Sequence, residues 1–556
     1  MRRYWNIFLR VLRSYTIEEK VISVIVLGIV VFLGLQMLIN TFSGHGVQDS
    51  GVYIEGIVSE KPTVLNPLFV DFSQADRDLS SLLFSGLTKY DPEKKAFVGD
   101  MADLAISEDR KIYTFTLKNN LKWHDGQPLT AEDVYFTFHD VIQNPEFQNQ
   151  FLRMNFEGVE IKQMDDKTIQ FILQKPNSFF ITNTNVGIVP KHILGQVPVA
   201  EFLKDPFNLK PIGSGPYKIE NQLEFFDDGR QRVNFIVFDD YYGEKSKIRH
   251  FKFNIYPDMS LLLKEKAGLD TVAKVPPANF NDFQAANRFV FFNYELPQYT
   301  ALFFNMDRPV FKKEKVRVAL LKSIDKTELL KVVPDKMAVD TPLLELNQSD
   351  WIYKPSLDEA KGGLFDSGYK IDQTDNLRKD SSGKVLELTL LARAHEEGTP
   401  LAEETMKVTD FLKKSWEQLG VKVDVYFASQ DEFNNRLAMR DYDMVLTGQS
   451  LGYNLDTYSF WHSTQATSQG LNLSNYKSFA ADQVIEKLRD TFDPAQKDLR
   501  LKDLAKVLAS DVPAIFLYRP RYIFASDNKV KGFSLENLAF PSDRFAHIER
   551  WCSNCQ

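Results

Sequence analysis

The chain has 556 residues, 44% of them hydrophobic and 26% charged, a size and mixture suited to a globular protein of two or three domains. Lys and Arg number 67 against 75 Asp and Glu, a formal charge of −8 with no basic block in the main body, which argues against a nucleic-acid partner. The eight histidines, at 45, 124, 139, 192, 250, 395, 462 and 547, form no His-x3-His or His-Glu-x2-His pair, and an enzyme reading finds no local motif.

Arg2, Arg3, Arg10, Arg13 and Lys20 precede an uncharged run at 21–39. Such a run is about the length a helix needs to cross a bilayer, and longer than the ~7–15 residues of a secretory h-region. Asn40-Thr-Phe-Ser-Gly is a poor cleavage site, so the run reads as an uncleaved signal anchor, with a cleaved signal peptide as the alternative. Basic residues ahead of it place 1–20 in the cytoplasm and the remainder outside. Residues 40–51 read as a linker.

The fold is expected to begin with a strand at 52–58 and a turn at Leu65-Asn66-Pro67-Leu68. Tyr113, Phe115 and Leu117 alternate with threonines, the period of a half-buried strand. Asp125-Gly126 supplies a turn, and Thr130 takes an N-cap position with Asp133 three residues on and Val134, Phe138, Val141 and Ile142 at helical spacing. Ile169, Phe171 and Leu173 mark another strand. A tight turn, without the Lys-Ser or Lys-Thr of a phosphate loop, is expected at Gly213-Ser-Gly215. Asp325-Lys-Thr-Glu328 has capping-box spacing. Residues 370–384 read as an exposed polar loop before a strand at 385–391. Val408, Phe411, Leu412, Ser415 and Leu419 share a helix face that Gly420 ends, and Val421, Val423, Val425 and Phe427 alternate beyond it. Leu501, Leu504, Ala505 and Leu508 share a last helix face, which Pro513 stops. The order of helix and strand is mixed α/β.

Five runs in this order resemble signatures of the family 5 extracytoplasmic solute-binding proteins, the peptide-, dipeptide- and nickel-binding components of ABC importers. They are Leu121-Lys-Trp-His-Asp-Gly with the helix after it, Pro211-Ile-Gly-Ser-Gly-Pro-Tyr, the stretch 301–325, the strand 383–391, and Tyr442-Asp-Met-Val-Leu-Thr-Gly448 with Asp456-Thr-Tyr-Ser-Phe-Trp-His-Ser463. The resemblance extends over about 52–525. It implies a two-lobed periplasmic-binding-protein-like fold of the cluster C type, with lobe 1 at about 52–70, 190–300 and 510–545, an inserted subdomain at about 71–189, lobe 2 at about 301–509, and a tail at 546–556. It implies that Trp123-His124-Asp125 is a fold signature and not a catalytic set.

By the same resemblance the chain captures a solute, most simply an oligopeptide, between hinged lobes and passes it unaltered to permease subunits and their ATPases, as a monomer tethered by its N-terminal helix. A nickel-chelate or haem binder, and a surface sensor without a transporter, are the alternatives. Neither a cofactor, a metal nor a catalytic residue is expected. Ligand contacts are expected from Asn66, Tyr299, Gln449, Ser450, Asp456 and Trp461, each of which also has a structural reading as turn, cap or core. In many peptide binders an Asp ahead of the Asp-Pro turn meets the ligand ammonium. Leu451 falls near that position here and Thr457 replaces the proline, which weakens a free N-terminus as the recognised group. No cysteine follows the hydrophobic run to carry a lipid. Cys552 and Cys555 admit a disulfide, an inert tail or half a metal site.

Overall fold

The β-branched run Val52–Val58 forms a strand in the interior of a sheet, flanked in parallel by His250–Tyr256 and Thr271–Val275. The computed structural model describes residues 52–59, 63–70, 73–285, 287–344, 353–453, 456–468 and 470–555. The expected anchor and linker lie outside these residues, among which no helix is long and apolar enough to cross a membrane. The first sheet runs Phe289–Tyr294, Tyr522–Asp527, Thr271–Val275, Val52–Val58, His250–Tyr256, Gln231–Val237, Tyr217–Ile219, with Glu224–Phe225 also on Gln231–Val237.

A second sheet runs Lys336–Ala338, Ala514–Pro520, Gln298–Phe304, Met444–Ser450, Glu387–Arg393, Lys422–Ala428. Its strand Gln298–Phe304 is apolar on both sides because both faces are covered: Leu302 and Phe304 enter one core, Tyr299, Ala301 and Phe303 another. The fold is thus the two-lobed α/β arrangement, one lobe on each sheet. The chain crosses between the sheets twice, after Tyr294 and after Pro520. The strand Ala514–Pro520 therefore belongs to the second sheet, although the sequence division placed 510 onward with the first. Pairing to Gln298–Phe304 decides its membership, and strand pairing is not written in local periodicity.

Between the first strand and the rest of the first sheet lies a four-stranded antiparallel sheet, Ala102–Ile106, Ile112–Leu117, Thr168–Ile172, Glu160–Gln163. Tyr113, Phe115, Ile169 and Phe171 face its core as their alternation requires. Thr130 and Asp133 form a reciprocal capping box at the start of Ala131–Tyr135, which continues into the π-helical Phe136–Ile142. In the second lobe Pro400–Glu417 buries Val408, Leu412, Ser415 and Trp416, and Gly420 follows in the left-handed conformation.

Two stretches differ from the sequence reading. Residues 370–384 are pinned by the paired strands Lys370–Ile371 and Arg378–Lys379, and Arg378 is buried, donating to the carbonyls of Leu419, Tyr369 and Lys361. The C-terminal tail is built into the first lobe: Trp551 is wholly buried against Tyr53, Phe533 and Phe545, and Cys552–Ser553 pairs with Val530–Lys531. Cys552 and Cys555 are joined as a disulfide.

Candidate ligand-binding cleft

Two of the sequence signatures meet in space. The His124 amide donates to the Gly213 carbonyl at 2.8 Å, and His124 Nδ1 accepts from the Gly213 amide at 3.1 Å. Nε2 lies 3.1 Å from the Gly215 carbonyl, so the ring is a neutral donor–acceptor bridge. Burial pushes this histidine down to about 4, in keeping with that role. A Cβ on Gly213 would fall 1.9 Å from the Leu83 carbonyl and one on Gly215 2.5 Å from that of Leu82, so both glycines are required where the turn meets the end of the helix Gln74–Leu83. His124 thus braces the Gly213–Gly215 turn, whose Gly215 amide donates to the Leu83 carbonyl at 2.8 Å, and the helix Gln74–Leu83 that this turn meets forms one wall of the cleft.

The facing wall is the end of the second-lobe strand Met444–Ser450 and the loop after it. Leu451 is held by its amide on the Pro297 carbonyl at 2.8 Å. Tyr453 then reaches across into the first lobe. Its ring lies 5.2, 5.1 and 4.8 Å from those of Tyr90, Phe97 and Phe540, and its hydroxyl donates to Asp543 Oδ1 at 2.5 Å. Asp543 Oδ2 accepts from the Ala539 and Phe540 amides, each at 2.8 Å. Burial lifts this carboxyl to about 6 despite those donors.

Tyr453 stands on the wall of three neighbouring cavities of about 490, 410 and 650 Å³. The 490 Å³ space lies between the lobes: Arg77, Ser80 and Phe540 come from one side, Ser450, Leu451 and Gly452 from the other, with Asn155 and Asn183 of the inserted subdomain along its flank. The 410 Å³ space holds Lys89, Asp100 and Tyr242, and the 650 Å³ space holds Arg519, Arg521 and Glu536. Asp91, Glu93 and His547 bring ligand-type atoms within 4.8 Å of one another, but Lys94 pairs with Asp91 and Arg550 with Glu93.

Of the residues expected to touch ligand, Ser450 alone lines one of these spaces. Tyr299 and Gln449 are a buried cross-strand pair whose hydroxyl and amide oxygen bond to each other. Trp461 is core, packed on Phe303, Tyr476 and Phe516. Asn66 is buried and shapes its turn, accepting from the Leu68 amide and donating to Asn208. Asp456 accepts from the Tyr458 amide and forms a two-pronged ion pair with Arg489. The hydroxyl of Tyr299, the amide oxygen of Gln449, the Asn66 amide and the Asp456 carboxylate are engaged within their own lobes, whereas the buried Trp461 Nε1 has no hydrogen-bond partner among the described residues. Tyr453 and Arg77 were missed: one sits two positions beyond the expected carboxylate site, and the other looks like any charge on an amphipathic helix.

Residues 96–470 match the model of the bacterial extracellular solute-binding proteins, family 5 middle. The chain belongs to that family. This solute-binding protein is 26% identical over 519 residues to the oligopeptide-binding protein AppA of Bacillus subtilis, covering 91% of this chain and 92% of that one. It is 25% identical over 542 residues to the dipeptide-binding protein of Escherichia coli, covering 91% and 96%. The crystal structure of NikZ from Campylobacter jejuni, in complex with Ni(L-His), shares its fold with a TM-score of 0.74 at 24% identity, covering 90% of this chain and 99% of that one.

Proposed function

We propose that this solute-binding protein is the extracytoplasmic receptor of an ABC importer and that its solute is an oligopeptide. The observation that carries the reading is the 490 Å³ space walled by both lobes at the end of the strand Met444–Ser450. On its Glu387–Arg393 side this strand is paired only at Met444 and Val445 among the described residues. An open edge presents main-chain donors and acceptors to which an extended peptide adds as a further strand. Neutral amides and hydroxyls on the other walls accept peptide groups without reading side chains. The two adjoining spaces leave room for length. Oligopeptide- and dipeptide-binding relatives support the same class of guest.

The ligand works by closing the jaws. It must bind the closed form better than the open one, and the closed form is what a permease recognises. In this reading the moving bodies are the first lobe with its inserted subdomain and the second lobe, hinged at the two crossings. The run 21–39 is the tether that holds a monomer at the membrane beside its permease and ATPases, and the guest leaves chemically unchanged. A bare nickel ion fits less well: among the described residues the walls of the three spaces carry no His and no Cys.

A mixed oligopeptide pool, followed by small-angle scattering and thermal unfolding, tests the reading. At a hundredfold excess over Kd, peptide should add about 2.7 kcal/mol to stability and shrink the radius of gyration. Bound peptide should be recovered at its original mass. Contraction with Ni(L-His) and with no peptide would hand the cleft to the chelate.

A further inference from the structure

We infer that the 490 Å³ space selects its guest by one apolar side chain, of the leucine or phenylalanine kind, and that Phe151 is the residue that sets this preference. This deepens the peptide reading and rests on it. Phe151 lines the space and is 51% exposed, whereas Leu152 beside it is 8% exposed and packs into the first-lobe core. Pro67, Val70, Phe84 and Val186 line the same space from the first lobe and its inserted subdomain, and Leu451 and Leu471 line it from the second lobe. Among the described residues on these walls Arg77 is the one charged side chain, and its guanidinium carbon lies 3.8 Å from the centre of the Phe540 ring.

The backbone gathers these residues into one apolar corner. Phe151 sits on the short helix Gln150–Met154, whose N-cap Asn149 accepts from the Leu152 amide at 3.2 Å and donates to the Leu68 carbonyl at 3.0 Å. That second bond docks the helix on the turn that carries Pro67 and Val70, and the Phe69 and Phe147 rings pack together there at 5.6 Å between centres. Gly187 brings Val186 to the same turn, since a Cβ on it would fall 2.8 Å from both Phe84 and Pro67. An apolar ring left half exposed on a wall that closure covers is stabilised when its new neighbour is apolar too. A polar side chain would be stripped of water there with no partner in its place. Ser450, Asn155 and Asn183 supply donors and acceptors for the guest's main chain, so main chain and side chain are read by different residues. A lysine or arginine of the guest would in addition meet the like charge of Arg77.

The test uses the full-length protein in detergent and alanine pentapeptides in which a single Leu, Phe, Ser, Gln, Glu or Lys is moved through every position. Titration calorimetry should find one position at which Leu and Phe bind at least tenfold tighter than the polar residues, with a more negative heat-capacity change. Phe151→Asn should shrink that preference to within about threefold while the all-alanine peptide keeps its Kd within about threefold, and Phe151→Leu should retain the preference. The unfolding midpoints without ligand should stay together, because the Phe151 ring is half exposed. Equal affinity for polar and apolar residues at every position, tighter binding of Glu, or an undiminished preference in Phe151→Asn overturns the assignment and leaves the peptide reading standing. If no peptide of the series binds, both fall.

Discussion

Tyr453 and Asp543 join the two lobes through a single hydroxyl, and the acid at that contact is poised to titrate. Burial lifts the Asp543 carboxyl from 3.8 to about 6, so the folded protein holds this proton more tightly than the unfolded chain does. The stability this provides is complete below pH 3.8 and is lost as the pH rises through about 6. Calorimetric unfolding should therefore show wild type losing more stability between pH 4 and 7 than Asp543→Asn, by on the order of 2 kcal/mol. Glu55, Asp78 and Asp100 are also raised by burial, but they contribute to both proteins and cancel in the difference. Equal slopes would place the titration elsewhere.

The loop after Met444–Ser450 is an element whose position is set at both ends: Leu451 on the Pro297 carbonyl, Asp456 on Arg489. Between them Gly452 has φ +55°, and a Cβ there would fall 2.6 Å from Phe540 Cζ. The glycine is needed both for the left-handed backbone and for the approach of one lobe to the other. Gly452→Val should weaken peptide binding at least tenfold, by blocking the approach to Phe540, and should lower the unfolding free energy by about 1–3 kcal/mol, the strain of a side chain in the left-handed backbone. Calorimetric titration beside denaturant unfolding reads the two quantities separately. The run 449–456 shows how far sequence went at this scale. The strand and the turn at Asp456 followed from the family resemblance, whereas the aim of Tyr453 into the other lobe depended on residues 90, 97 and 540, which no local pattern connects to it.

Across the whole molecule the two ends of the first lobe are tied by charge. Arg544, wholly buried, pairs with Glu55 of the first strand and with Asp78 of the first helix at 2.9 Å. Removing the cation leaves two buried carboxylates unpaired, one of the costlier single changes available. Arg544→Met should lower the unfolding free energy by roughly 3–5 kcal/mol, or leave the chain unfolded, while Arg544→Lys recovers part of the loss. Circular dichroism across a urea series decides it, and a loss below about 1 kcal/mol would show the triad to be dispensable. Residues 541–551 are accordingly part of the lobe and not an appendage.

Sequence by itself determined what depends on neighbours along the chain. Periodicity placed the strand Ile112–Leu117 and the helix Pro400–Glu417, the Thr130 cap and Gly420 set helix ends, and five ordered signatures carried the family and its two-lobed architecture. Tertiary structure decided which sheet receives Ala514–Pro520, why His124 and Gly213 need each other, and which side chains look into the cleft. The reason is the range of the forces. Propensity, capping and alternation act over a few residues, whereas the cleft is lined by side chains from positions 77, 450 and 540, brought together only when hydrophobic burial folds both lobes.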